Sequence, residues 1–205
     1  MSNPDKRLFD EMLLGFSQEP NADRRKEIEK SLWKSFGTEQ AIMVLDMSGF
    51  SQLTQRFGVV HYLSMVRRMQ LTATPIIESY GGRVVKFEAD NCFASFPDPL
   101  GAVRSGISLN LAFGAANILT PEELDIRIAC GIDYGEILSV DSNDFFGNAV
   151  NRASKLGEDS AGPGEILVTD DAVVRIPKQA GIDFEPLTIT ISGIEIESFK
   201  VIYRQ

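Results

Sequence analysis

From residue 41 onward, short apolar runs repeatedly give way to longer segments with a helical repeat. Short apolar runs bounded by Gly, Pro, Asn or Asp are typical of strands, whereas apolar residues recurring every three or four positions indicate helices. This pattern predicts strands at residues 41–46, 83–89, 92–96, 124–133, 136–140, 165–168, 184–191 and 194–203. It predicts helices at residues 51–57, 59–80, 99–119, 146–156 and 169–175.

Two tight turns organise these strands. Asp90-Asn91 and Tyr134-Gly135 each separate two apolar runs, which predicts two β-hairpins and hence antiparallel neighbours. The helices between other strands favour parallel crossovers as well, so the order does not fit a doubly wound parallel sheet. We therefore predict an α+β fold, with a ferredoxin-like core in which helices flank a mixed or antiparallel sheet.

Residues 1–40 have a different pattern from the rest of the chain. Apolar residues recur at helical spacing in residues 8–13 and 28–33, and Asn21 between them is suited to cap the second helix. The sequence thus predicts a helical extension at residues 1–40 and a larger domain at residues 41–205. The extension either packs on that domain or regulates it, and we favour packing.

Composition and charge exclude several classes of protein. The formal net charge is −9, which argues against a nucleic-acid surface but permits a nucleotide ligand. We expect no membrane segment, because no apolar run reaches roughly 18 residues, and no signal peptide. Cys92 and Cys130 lie in separate apolar runs, so we expect free thiols and a cytoplasmic location. His61 has no second His or Cys at ligand spacing, so we expect no zinc site or catalytic role for it.

Asp46 stands at the end of the first predicted strand, just before a glycine and a predicted helix. A helix N-terminus favours an anion, and a carboxylate beside it can hold a divalent cation that bridges to that anion. Ser48, Gly49 and Phe50 are therefore candidate substrate-binding residues. The alternative is that Ser48 or Ser51 only caps the helix and Asp46 only caps the turn.

A second charged group follows in the next strand. Lys86, Glu88 and Asp90 alternate along the sequence, so they would share one face of a regular strand. Three charges on one face of an apolar hairpin need a ligand or a partner. The alternative is a surface ion-pair cluster, which contributes little to stability.

The third group consists of Asp144, Asn151 and Lys155. Asn151 and Lys155 are four residues apart on a predicted helix, so their side chains point the same way. An amide and an ammonium group on one helix face suit a ribose and a phosphate. A solvated helix face is the alternative.

The order and spacing of these groups resemble the catalytic domain of the class III nucleotidyl cyclases. The resemblance extends from residue 41 to residue 201 and rests on residues 45–51, 85–90, 127–135, 144–151 and 164–168. It implies the cyclase α+β fold and the cyclisation of a nucleoside triphosphate with release of pyrophosphate. It also implies that Asp46, Asp90 and the Met47 carbonyl hold two Mg²⁺ or Mn²⁺ ions per active site.

Adenylyl members of the family recognise adenine with a lysine and an aspartate, which Lys86 and Asp144 match. A lysine donor suits adenine N1 and an aspartate acceptor suits the exocyclic amine, whereas guanine presents the opposite polarity, so ATP is the expected substrate. Asn151 matches the asparagine that orients the ribose. Lys155 stands where the family usually has an arginine that stabilises the transition state, so Asn151 and Lys155 are the expected catalytic residues.

The active site of the family lies between two catalytic domains arranged head to tail. One domain supplies the metal-binding aspartates and the other supplies the residues that bind the base and the ribose. Because this chain carries both sets, the resemblance implies a homodimer with two shared sites and an inactive monomer. The sequence shows no sensory domain, so we expect control through residues 1–40, the C-terminal strands or a separate regulatory protein.

Four departures from the family pattern leave alternatives open. Lys155 lacks the planar fork of arginine, Ala89 replaces a glycine, and Glu88 replaces a residue that is often apolar. The late phosphate-binding lysine has no clear counterpart near residues 192–194, and Lys200 follows in the last strand. An adenylyl cyclase is the favoured function. A cyclase that uses GTP, CTP or UTP, or a catalytically weak nucleotide-binding regulatory module, is the alternative.

Overall fold

The computed structural model describes residues 4–140, 143–191 and 194–203, without the side chains of residues 4, 50–53, 191 and 194. The α-helices in these ranges are α1 (Pro4–Gln18), α2 (Ala22–Phe36), α3 (Phe50–Phe57), α4 (Val59–Ser79), α5 (Pro99–Asn117), α6 (Asn148–Ser154) and α7 (Asp170–Val173). The strands are β1 (Gly37–Met47), β2 (Arg83–Glu88), β3 (Asn91–Phe96), β4 (Ile128–Val140), β5 (Asp144–Phe146), β6 (Ile166–Thr169), β7 (Asp183–Ile191) and β8 (Ile194–Ile202).

These strands form one sheet in the order β2-β3-β1-β4-β6-β8-β7, and β5 pairs with the C-terminal end of β4. β4 and β6 run parallel, while the other pairs among the described strands are antiparallel. Helices cover both faces of the sheet. The predicted fold class, a mixed sheet flanked by helices, is confirmed.

β1 lies inside the sheet, between β3 and β4, and its two faces contact two separate layers of the core. Met43, Leu45 and Met47 belong to the larger apolar cluster, which α4 and α5 cover. Ile42 and Val44 belong to a smaller cluster that α6 covers. Since successive side chains of a strand point to opposite faces, the Asp46 side chain belongs to the α6 face.

The prediction of a hairpin turn at Tyr134-Gly135 is wrong. β4 runs without interruption through both residues, because Tyr134 pairs with Ala41 and Gly135 pairs with Gln40 of β1. A long partner strand on one side thus holds the chain extended where the local sequence favoured a turn. The second hairpin instead joins β4 to β5.

The helix predicted at residues 146–156 is also shorter than expected. Its first residue, Phe146, ends β5, where it pairs with Leu138 of β4. Gly147 then precedes α6 with a φ of 152°, a conformation that favours glycine. The last residues of the predicted helix belong to a π-helical segment, Lys155–Ser160. The chain between β5 and β6 therefore carries two kinds of helix in succession.

The N-terminal helices pack on the far end of β4. Asn21 caps α2, as predicted, by accepting hydrogen bonds from the backbone N–H groups of Asp23 and Arg24 at 2.9 and 3.2 Å. Phe9 of α1 and Leu32 of α2 are buried together with Val140 of β4. These contacts support packing as one role of the extension, although β1 already begins at Gly37 rather than at residue 41.

Both cysteines are free and buried, as expected. Cys92 of β3 and Cys130 of β4 pair with Leu45 from opposite sides, so β1 separates the two thiols. Burial raises the pKa of the Cys92 thiol to about 12 and raises the pKa of Cys130 as well. In the described ranges, no helix has both the length and the apolar character needed to cross a membrane.

Candidate active site

Asp46 lies at the C-terminal end of β1, next to a turn that leads into α3. Gly49 has a φ of 78°, in the left-handed region that glycine adopts without strain, and it precedes the first helical residue, Phe50. The predicted arrangement of strand, glycine turn and helix is therefore present. The Ser48 N–H donates to the carbonyl of Arg127 at 2.8 Å, so this group is already used. The Phe50 side chain lies outside the described residues.

Asp90 lies in the turn of the β2–β3 hairpin rather than in a strand. Asp46 and Asn91 are direct cross-strand partners, so the hairpin turn adjoins the end of β1. Ala89 has a φ of 53°, the backbone conformation for which a glycine is usually chosen. The predicted shared face is therefore correct for Lys86 and Glu88, whereas Asp90 leaves the strand.

Negative charge accumulates at this end of the sheet. Burial raises the pKa of Asp46 to about 6, and the charges of Asp90 and Glu158 act in the same direction. Burial also raises the pKa of Asp90. Carboxylates whose pKa values rise because they are buried near one another are suited to share a cation.

Glu158 is a member of this group that the sequence reasoning missed. Burial raises its pKa, and Asp90 is among the neighbouring charges that raise it further. The residue lies in the π-helical segment after α6, where Gly157 approaches β1 so closely that an added Cβ would be 2.7 Å from the Val44 carbonyl oxygen. The predicted helix ended at residue 156, and nothing in the sequence pattern after it indicated that Glu158 would lie near Asp46.

Lys86 and Asp144, the predicted base-recognition pair, lie together. The Lys86 Nζ atom is 3.3 Å from Asp144 Oδ1 and also 3.3 Å from Glu88 Oε2. The ammonium group lies over the Phe93 ring, 5.1 Å from its centroid. Burial acts to lower the pKa of Lys86, but hydrogen bonds to Asp144 and Glu88 outweigh it, so the pKa is raised. The Phe145 N–H donates to Asp144 Oδ1 at 3.0 Å and helps to orient the carboxylate.

Asn151 and Lys155 lie one helical turn apart, at the end of α6 and the start of the π-helical segment. Asn151 is exposed, and the Lys155 ammonium group is 3.9 Å from the Asp159 carboxylate. Lys200 of β8, by contrast, forms an ion pair with Glu165, with 2.5 Å between Nζ and Oε1.

A buried ion pair holds α6 against the sheet, and the sequence reasoning missed it. Asp133 of β4 is fully buried and accepts two hydrogen bonds from the guanidinium group of Arg152, at 2.6 and 3.0 Å. The Thr169 hydroxyl also donates to Asp133, and Arg152 donates to Asp171 at 2.6 Å. Because Arg152 is adjacent to Asn151, this network orients the helix that carries the predicted ribose-binding residue.

The chain is similar in sequence and in fold to known nucleotidyl cyclases. No protein-family model matches the chain. The sequence is 30% identical over 144 residues to the putative adenylate cyclase 3 of Rhizobium meliloti, which covers 70% of this chain and 24% of that protein. The structure matches the crystal structure of an adenylate/guanylate cyclase/hydrolase from Silicibacter pomeroyi with a TM-score of 0.68. That match has 28% sequence identity and covers 82% of this chain and 99% of the other.

The chain carries a class III nucleotidyl cyclase catalytic domain. The guanylyl cyclase Cya2 matches the cyclase domain with a TM-score of 0.70 over 80% of this chain and 92% of that one, and its 16% identity supports the fold alone. Because guanylyl and adenylyl cyclases both match, the similarity does not distinguish ATP from GTP as the substrate. The chain spans 24% to 39% of the length of the curated relatives it matches.

Proposed function

We propose that the cyclase domain converts ATP to 3′,5′-cyclic AMP and pyrophosphate at sites shared between two copies of the chain. The observation that carries the proposal is the grouping of Lys86 with Asp144, with Nζ and Oδ1 3.3 Å apart. A donor beside an acceptor matches the Watson–Crick edge of adenine. Lys86 donates to N1 and Asp144 accepts from the exocyclic amine.

Asp46 and Asp90, with the backbone carbonyl of Met47, would hold two Mg²⁺ or Mn²⁺ ions. Carboxylate oxygens are the ligands these ions prefer, and the raised pKa of Asp46 reflects buried negative charge that a cation would neutralise. Asn91 Oδ1, on the cross-strand partner of Asp46, is buried and has no hydrogen-bond partner among the described residues. These oxygens fit a divalent site. When bound, the ions supply Lewis acidity at the 3′-hydroxyl and neutralise the triphosphate.

The residues of α6 and the segment after it act on the sugar and the phosphate. The Asn151 amide holds the ribose so that the 3′-oxygen faces the α-phosphorus. Lys155 contributes positive charge near the phosphorus as pyrophosphate leaves. Its ion pair with Asp159 is partly exposed and long at 3.9 Å, so the ammonium group is available to a substrate at little cost.

The substrate is bound by residues from both protomers of a homodimer. Lys86, Asp144 and Asn151 come from one protomer, while Asp46 and Asp90 come from its partner. Residue sets of both kinds lie in each copy of the chain, so a symmetric dimer has two equivalent sites.

The experiment is incubation of the purified protein with Mn²⁺ and, separately, ATP, GTP, CTP and UTP, with the products separated by chromatography. We expect cyclic AMP as the main product. Asp46→Asn should abolish product formation and leave the dimer intact, because it removes a metal ligand but little volume.

The matched control is Asp10→Asn, at an exposed aspartate of α1, which should leave the rate unchanged. A different cyclic nucleotide as main product would overturn the base assignment and keep the reaction. Absence of product from all four nucleotides would overturn the proposed function.

A further inference from the structure

The ammonium group of Lys86 has a second carboxylate beside it. Glu88 and Lys86 are two residues apart in β2, opposite Asn91 and Phe93 of β3, so both side chains lie on one face of the strand. Glu88 Oε2 and Asp144 Oδ1 are each 3.3 Å from Nζ, and they belong to different strands. Lys86 is therefore a donor in contact with two acceptors.

The aromatic residues beneath Lys86 restrict the positions that its ammonium group can take. The Phe93 ring lies 5.1 Å from Nζ and packs edge-on against Phe145, with 6.4 Å between the ring centroids. Asp144 immediately precedes Phe145. Lys86 and Asp144 are thus both anchored to one aromatic pair, and Glu88 remains as the exposed third group.

Lys86 and Asp144 alone cannot distinguish adenine from cytosine. Both bases present an amino donor next to a ring-nitrogen acceptor, and they differ at the third position of the same edge. Adenine has a C–H there, whereas cytosine has the O2 carbonyl, which is an acceptor. A third protein group at that position is needed for discrimination.

We propose that Glu88 is a specificity-determining residue, and that its carboxylate rejects cytosine by facing O2 with a second acceptor. This inference rests on the proposed function, because it assumes that Lys86 and Asp144 bind the base. An unfavourable contact with the wrong ligand is a common source of specificity. The acceptor–donor–acceptor order also predicts that 2,6-diaminopurine, with amino groups on both sides of N1, is bound more tightly than adenine.

The alternative role of Glu88 is a surface ion pair. Its side chain is 66% exposed, so the pair with Lys86 contributes little to stability and its removal should leave the fold intact. Glu11 offers a matched control, because it is 67% exposed and pairs with Arg7 on α1. The two glutamates differ in their distance along the chain from the base-recognition residues, not in their exposure or pairing.

The test measures equilibrium binding of 3′-deoxynucleoside triphosphates, which lack the hydroxyl group needed for cyclisation. Wild type, Glu88→Gln, Glu88→Leu and the control Glu11→Gln would be titrated with the adenine, cytosine and 2,6-diaminopurine compounds in the presence of Mn²⁺. We expect both Glu88 variants to lower the preference for adenine over cytosine by about tenfold or more. Glu88→Leu should also remove the gain from 2,6-diaminopurine, and Glu11→Gln should change neither ratio.

An adenine-to-cytosine ratio that stays within about twofold of wild type in both Glu88 variants would overturn this inference. Turnover of the natural nucleotides separates that failure from failure of the proposed function. Wild type that binds the 3′-deoxy compound but forms no cyclic nucleotide from any natural triphosphate would overturn the function and leave the Glu88 result valid. Wild type that binds none of the 3′-deoxy compounds would overturn both.

Discussion

At the scale of single residues, Asp133 carries a buried charge that its neighbours must compensate. Its carboxylate is fully buried, and burial raises its pKa even though Thr169, Arg152 and the Tyr134 N–H bind it and act in the opposite direction. A buried charge is tolerated only when its hydrogen-bonding capacity is satisfied. The guanidinium group of Arg152 is therefore required mainly because Asp133 is present.

Arg152→Leu should lower the free energy of unfolding by about 3 kcal/mol, because it leaves a buried carboxylate without its cation. Urea unfolding measures the change. Arg7→Leu, which removes an exposed pair on α1, should change the free energy by about 0.5 kcal/mol or less. If the double variant Asp133→Leu, Arg152→Leu is no more stable than Arg152→Leu alone, the unpaired charge is not the cause.

The raised pKa of Asp46 makes stability depend on pH in the metal-free protein. In the unfolded chain Asp46 has its ordinary pKa, near 4, whereas the folded value is about 6. Between these values the folded state binds more protons, so stability should rise as pH falls from 7 toward 5. Stabilisation by Mn²⁺, which requires the ionised carboxylate, should weaken over the same range.

Urea unfolding of wild type and Asp46→Asn at pH 7, 6 and 5, with and without Mn²⁺, measures both effects. The variant should lose part of the pH dependence. Asp90 and Glu158, whose pKa values are also raised, retain the remainder. Equal slopes in the two proteins would contradict the assignment to Asp46.

At the scale of elements, β5 is held from two directions. Phe145 packs toward Phe93 in the core, and Phe146 stacks on Phe9 of α1 with 6.0 Å between the ring centroids and 9° between the ring planes. The same strand begins with Asp144. The N-terminal helices therefore support the strand that carries Asp144, the proposed base-recognition carboxylate, so packing of the extension is connected with the proposed function.

Phe9→Ala should lower the free energy of unfolding by about 3 kcal/mol, because Phe9 is only 5% exposed and contacts rings on two other elements. It should also raise the KM for ATP more than it lowers kcat, since in the proposed mechanism Asp144 binds the base and takes no part in bond formation. Steady-state kinetics and urea unfolding measure the two effects. Leu14→Ala, at a 56% exposed position of the same helix, should change neither. An unchanged KM in Phe9→Ala would separate the extension from base binding.

At the scale of the whole molecule, the proposed dimer predicts that two inactive variants regain activity when they are mixed, a result that a site within one protomer could not give. Asp46→Asn and Asn151→Ala should each be inactive alone. When the two are mixed under conditions that allow exchange, a mixed dimer has one intact site, built from Asp46 of one protomer and Asn151 of its partner. Random pairing should restore about a quarter of wild-type activity.

The measurement is the cyclase rate of the equimolar mixture, with dimer formation checked by analytical ultracentrifugation. Asp46→Asn mixed with Asp90→Asn is the matched control. Both changes affect the same residue set, so no mixed dimer has an intact site and no activity should return. If the Asp46→Asn and Asn151→Ala mixture forms dimers but stays inactive, the shared site is contradicted.

Local patterns in the sequence were sufficient to predict the α+β class, most strands and helices, and the charged residues that are candidates for the site. These follow from local periodicity, from turn residues and from the cost of placing charges in apolar runs. The sequence identified Lys86 and Asp144 as a pair through the resemblance to cyclases. The structure brings the two together at 3.3 Å although they are far apart in the chain.

Contacts between side chains and strands that are distant in sequence could not be predicted from these local patterns. β4 stays extended through Tyr134-Gly135 because β1 pairs with it there, an interaction that outweighs the local turn preference. The π-helical turn brings Glu158 near Asp46, and folding buries Asp133 against Arg152. Local sequence specifies the backbone tendencies of each segment, whereas the contacts that set charge, burial and pKa depend on strand partners distant in sequence.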